Sequence, residues 1–147
     1  MSTDSTAADQ LAIHALVARY ADAVNVADAE MWAGTWAEDA SWDLGGGRRV
    51  EGKAAVVELW SGAMASFDAV IQIVAHGSVQ VTGTCATGRW TLFEVDQRDG
   101  EGLFVVGCYC DRYSSQSGQW YFSERCFTAT YRGSLPVGTF LPFPTMD

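Results

Sequence analysis

The chain has 147 residues and a formal charge of −9, with only nine Lys and Arg scattered along it, a balance that excludes a phosphate-neutralising surface for nucleic acid and repels anionic lipid. No apolar run reaches the roughly 18 residues of a membrane span, and the polar, acidic first ten residues lack the pattern of a secretory leader; a cytoplasmic protein with no membrane partner is expected. The length suits one domain spanning residues 1–147, and six Trp, five Tyr and seven Phe exceed what its core requires, which points to an aromatic-lined cavity or interface.

Residues 1–8 are expected to be flexible. From Asp9 to about Val26, Ile13, Leu16, Val17, Tyr20 and Val24 recur at helical spacing and form one apolar stripe. Asp28 reads as the N-cap of a second helix that carries Met31, Trp32, Thr35 and Trp36 on one face. A short strand over Ala40 to Leu44 ends at Gly45-Gly46-Gly47. A third helix follows Gly52, with Val56, Leu59, Trp60, Ala63, Met64 and Phe67 on its apolar side.

The second half changes period. Four strands are expected at about 70–81, 85–96, 102–114 and 119–132, separated by Thr82-Gly83-Thr84, Arg98-Asp99-Gly100 and Ser114 to Gly118, all with hairpin chemistry. Sequential strands joined by short turns make an antiparallel meander. Helices followed by strands give an α+β fold, here three helices on a long, curved, mostly antiparallel sheet that encloses a pocket as a cone. Residues 134–147 hold all three prolines and should form an extended tail.

His76 is one of two histidines and falls in an apolar strand. It is either a hydrogen-bonded core residue or a proton-transfer group aimed into a pocket. Tyr20, on the buried helical stripe, needs a partner for its hydroxyl, from the core or from a pocket. Arg125 shares strand parity with Tyr121, Ser123 and Phe127. If that face lines the cone, Arg125 brings positive charge beside a developing anion; a salt bridge to a helix carboxylate is the alternative. Glu94, on the opposite parity from Arg89 and Phe93, reads as surface, as do Asp22 and His14. Cys85, Cys108, Cys110 and Cys126 have no metal-ligand spacing, so free thiols and no bound metal are expected. No Gly-rich phosphate loop is present, and no cofactor is expected.

Several segments together resemble the NTF2-like superfamily, in its SnoaL-like branch of scytalone dehydratase and hexachlorocyclohexane dehydrochlorinase types. They are Arg19-Tyr20-Ala21-Asp22-Ala23-Val24-Asn25 with Asp28, Trp36-Ala37-Glu38-Asp39-Ala40-Ser41-Trp42, Glu51-Gly52-Lys53-Ala54-Ala55, Tyr109-Cys110-Asp111-Arg112-Tyr113, and Gly118-Gln119-Trp120-Tyr121-Phe122. The likeness covers about residues 8–132. It implies an aspartate at the end of the first helix paired with a histidine on the first long strand, the imidazole removing a carbon-bound proton as a leaving group departs. His76 matches the histidine. Asn25 stands at the aspartate position, where its amide can orient a ring but cannot stabilise imidazolium by charge; a helix C-cap is its other reading. Trp42 matches an active-site tryptophan of the dehydrochlorinase type, or simply packs in the core.

These readings predict a cofactor-independent lyase or isomerase acting on a small hydrophobic, cyclic molecule. His76, Asn25 and Arg125 are the expected catalytic residues, and Tyr20, Trp42, Tyr121 and Phe127 the expected substrate contacts. The alternatives are a non-catalytic binder using the same cavity and a protein-interaction module. A homodimer or other homo-oligomer is expected, since a sheet face in this superfamily often packs on its twin.

Overall fold

The apolar stripe of Ile13, Leu16, Val17, Tyr20 and Val24 is wholly buried along one long helix, α1 (Thr3–Asn25). The computed structural model describes residues 3–146. α1 begins six residues before Asp9, so residues 3–8 are helical, and residues 1–2 lie outside the described residues. Ala7 and Ala8 favour the helix, and the Trp120 Nε1 donates to Asp9 Oδ1 at 3.0 Å, which ties the N-terminal part of the helix to the sheet.

Asp28 caps α2 (Ala29–Ala33), its carboxylate accepting from the Met31 N–H at 2.9 Å. The helix stops at Gly34, and Trp36, expected on its face, opens strand β1 (Trp36–Asp43) instead. Tertiary pairing overrides the helical spacing here, because Trp36 lies in register with Phe122, and the Phe122 N–H donates to Thr35 O at 2.9 Å. β2 (Arg49–Glu51) is a three-residue partner of β1, too short to leave a periodic signal. α3 (Lys53–Ser66) follows, with Val56 and Trp60 buried.

The long strands are β3 (Ala69–Thr82), β4 (Cys85–Arg98), β5 (Glu101–Gln116) and β6 (Gln119–Leu135). The sheet runs β2-β1-β6-β5-β4-β3. All pairings are antiparallel except β1 with β6, which is parallel. The sheet is curved and unclosed, with α1 lying along the β3 edge, and the architecture is the α+β cone. Beyond Leu135 the chain is extended, and Phe140 to Phe143 lie against the end of α1 and the start of β3. No helix of the described residues is long and apolar enough to cross a membrane.

Bulges decide which side chains face inward. In β3 the register shifts between Val74 and His76, so Ala75 is the extra residue. Val70 and Gln72 face the cavity and Val74 the core before it, and Gly77, Val79 and Val81 face inward after it. In β6 the register shifts at Ser123 and again at Thr130. Trp120 and Phe122, then Arg125 and Phe127, then Arg132 therefore all share the inner face, although their parity changes twice. Three inner glycines leave room for rings. A Cβ on Gly77 would collide with the Trp90 ring, one on Gly107 with Phe127, and one on Gly88 would come within 2.9 Å of the Tyr113 hydroxyl.

Candidate functional site

The inner face of the sheet, α3 and the β1–β2 hairpin enclose a cavity of about 710 Å³. Its walls are mainly apolar, with Trp42, Leu59, Trp60, Met64, Phe67 and Phe127 among them. α3 supplies much of this wall because its Leu59, Ala63, Met64 and Phe67 side faces the sheet.

Across the sheet, one inward row consists of Gln72, Glu94, Val105 and Arg132, each in register with the next. Gln72 organises the polar end of the cavity. Its Nε2 donates to Glu94 Oε2 at 3.0 Å and lies 3.4 Å from the Tyr109 hydroxyl. Its Oε1 is buried without a partner among the described residues. Asp96 stands two residues along β4 from Glu94, on the same face, and is 3% exposed. Burial pushes the Glu94 carboxyl above the usual carboxylate range; the Gln72 amide opposes this, and the neighbouring Asp96 charge adds to it. Burial raises Asp96 as well, against the pull of Arg98. Neighbouring carboxyls in a desolvated wall each hold a proton more readily than free ones. Burial also drives Tyr109 and Tyr20 upward, so both phenols stay protonated at neutral pH.

Tyr20, Trp42 and Phe127 line this cavity. His76 does not. It is exposed on the outer face of the sheet, its Nε2 3.4 Å from the Thr91 hydroxyl. In a regular strand it would share a face with Gln72 and Val74; the Ala75 bulge turns it away. Nor does Asn25 reach it. The Asn25 Nδ2 donates to Gln72 O at 2.9 Å and its Oδ1 accepts from Gln72 N–H at 2.7 Å. β3 is the edge of the sheet, and this side chain pairs with its free backbone groups as another strand would. The expected pairing of Asn25 with His76 is therefore absent, and the inward residue at that point of β3 is Gln72.

Arg125 is fully buried beneath the cavity rather than lining it. Its Nε and Nη2 donate to the Asp111 carboxylate at 2.8 and 3.0 Å, and the Tyr113 hydroxyl donates to Asp111 Oδ2 at 2.7 Å. The guanidinium carbon lies 3.5 Å from the centre of the Tyr109 ring and 4.4 Å from that of Tyr20, so its charge acts on the site through those phenols. The salt bridge anticipated for Arg125 is made, to β5 rather than to a helix. Tyr121 is separated from Arg125 by the Ser123 bulge and does not line the cavity.

Glu94, read as surface from the sequence, faces the cavity instead, and Asp96 and Gln72 escaped the sequence reading. Both faces of β4 are apolar around Leu92 to Val95, so Phe93 and Val95 hid the inward parity. The available signal was Ala86, Trp90 and Leu92, whose shared parity continues into Glu94 and Asp96.

A three-helix cone on a curved, open sheet with a walled cavity is the NTF2-like fold. Similar solved structures include a hexachlorocyclohexane dehydrochlorinase of LinA type 2, at 19% identity and TM-score 0.87, covering 96% of this chain and 98% of that one. A protein from Novosphingobium aromaticivorans with the provisional name scytalone dehydratase matches at 19% identity and TM-score 0.84, over 99% and 100% of the two chains. An aspartate-to-asparagine form of a protein of unknown function from Mycobacterium tuberculosis matches at 27% identity and TM-score 0.78, over 88% and 76%. No curated protein sequence matches. The SnoaL-like domain matches residues 5–126, and the chain belongs to that family.

Proposed function

We propose that the protein is a cofactor-independent lyase or isomerase for a small hydrophobic, cyclic molecule, and that its proton transfer runs through Glu94 and Asp96 rather than through a histidine. The carrying observation is the carboxyl pair itself, buried in the polar end of an apolar-walled cavity with its affinity for protons raised. The ionised member takes a proton from carbon. The released electron pair moves into an adjacent carbonyl or expels a leaving group, and the protonated member returns a proton to the product. Tyr109, protonated and backed by Arg125, donates to the oxygen that gains charge. The neighbours carrying dehydratase and dehydrochlorinase names are in keeping with this chemistry, with the carboxyl pair in the place of the imidazole.

A nitrobenzisoxazole, whose ring opens when one carbon-bound proton is removed, reports the base directly. Turnover above that of free carboxylate buffer is expected, lost by about 100-fold or more in Glu94→Gln and unchanged in His76→Ala. A rate that follows His76, or one equal to buffer, rejects this reading.

The second reading is a non-catalytic binder. It is favoured by Asn25, a neutral amide where the resemblance implies a carboxylate, and by the position of His76 outside the cavity. A binder returns a captured compound unchanged.

A further inference from the structure

The cavity carries more positive charge than the rest of the molecule suggests. Of the nine basic residues in a chain of net charge −9, Arg48, Arg98 and Arg132 all line this one space. Its acidic residues are Glu58, Glu94 and Asp96. Three arginines thus face three carboxyls, and the burial that raises the proton affinity of Glu94 and Asp96 tips this balance toward positive charge in an otherwise acidic protein.

The arginines are also placed where a ligand would meet them. Arg132 ends the row Gln72–Glu94–Val105–Arg132, on the inner face only because the Thr130 bulge rotates it there. Arg98 is braced, its guanidinium carbon 3.9 Å from the centre of the Phe67 ring and its Nε 4.0 Å from Asp96 Oδ1. Both lie in the field of Asp96. Neither Arg48 nor Arg132 makes an ion pair within 4.0 Å among the described residues. A neutral apolar guest would give these three groups nothing to bind.

We infer that the ligand is an apolar acid: a compact hydrophobic body seated on Trp42, Leu59, Met64 and Phe127, with one carboxylate held by Arg132 and Arg98. The inference names the substrate class of the site described above and rests on that cavity being the ligand site. It does not require turnover. Arginine forks bind a carboxylate through paired, charge-assisted hydrogen bonds, and the three arginines draw the anion to this cavity from a surface that otherwise repels it. The carboxylate then anchors the ring system beside Glu94, two strands from Arg132 with Val105 between them.

The test compares naphthoate with its methyl ester by calorimetry and tryptophan fluorescence at low ionic strength. Wild type should bind the acid about tenfold more tightly than the ester, with the preference shrinking as salt is added. Arg132→Met and Arg98→Met should each weaken the acid several-fold and leave the ester unchanged, the ester serving as the control for an intact cavity. An ester that binds as well as the acid, a preference that survives both substitutions, or failure of both compounds to bind would overturn the inference. Glu94→Gln separates it from the catalytic reading: the variant should keep the preference for the acid while losing nitrobenzisoxazole turnover. Persistence of that turnover would sink only the catalytic role of Glu94.

Discussion

Asparagine and aspartate differ at position 25 by one donor, and the edge strand uses it. The Gln72 backbone offers an N–H and a C=O side by side, and only an amide satisfies both. Asn25→Asp keeps the acceptor but sets a carboxylate oxygen against the Gln72 carbonyl. A loss of about 1–3 kcal/mol is expected, read from the urea midpoint at neutral pH, with partial recovery in acid as the introduced carboxyl protonates. Glu94 gives a second prediction. Its proton affinity is higher in the fold than in the unfolded chain, so its contribution to stability is complete below the ordinary glutamate range. That contribution is lost as pH rises through the raised value. Glu94→Gln removes the ionisation while leaving Gln72 Nε2 an oxygen to bind. Relative to wild type, the variant should therefore gain stability as pH climbs out of the acid range, measured by chemical denaturation at several pH values. A difference that is flat with pH would mean Glu94 ionises freely in the native state.

At the level of elements, the strands were legible to within a few residues from turn chemistry alone, and α1 from its stripe. The inward face was not. Periodicity assumes an unbroken pleat, and three bulges in β3 and β6 break it. The Ala75 bulge turns His76 outward although its strand is apolar, whereas β4 is unbroken and Glu94 is hidden by the apolar residues on both sides of it. A trace of the β3 bulge is present in the chain: Val70 and Val74 share one parity and Val79 and Val81 the other, so one extra residue must lie between them. Gly77 follows from that placement, since it passes directly under Trp90. In Gly77→Ala the new methyl would press on the ring and lie 2.7 Å from the Arg89 carbonyl oxygen. Backbone cannot yield as a flexible side chain does, and a cost of about 1–3 kcal/mol is expected, seen as a lower melting temperature. Gly46→Ala, a position where nothing lies within 4 Å but the backbone φ is +61°, controls for backbone strain without the collision.

For the whole molecule, the fold leaves its outer sheet face apolar. Ile73, Phe93, Val106 and Tyr131 form a row across it in register, with Ile73 50% and Tyr131 56% exposed. Phe93 stacks on Phe104, their ring centres 6.0 Å apart. The homo-oligomer expected from the sequence would bury this face. Sedimentation at micromolar concentration should report a species larger than a monomer, and Tyr131→Lys should shift it toward the monomer with the melting curve of the dissociated form retained. A wild-type protein that sediments as a monomer would rule out this use of the face.

α1 touches the rim of the sheet through a second amide as well: the Gln10 Nε2 donates to Val79 O at 3.3 Å, as Asn25 grips Gln72 at the helix's other end. Fifteen residues of helix rise about 22 Å, and the six ladder positions from Gln72 to Val79, with Ala75 the extra residue of the bulge, advance about 20 Å. Helix and strand thus act as two rulers with matching marks, and the pair of rungs fits only at this spacing. Adding or removing one residue anywhere between Gln10 and Asn25 would leave one rung misplaced by about 1.5 Å and about 100° around the axis. The interior of α1 should consequently accept many replacements on its solvent side yet tolerate no change in length.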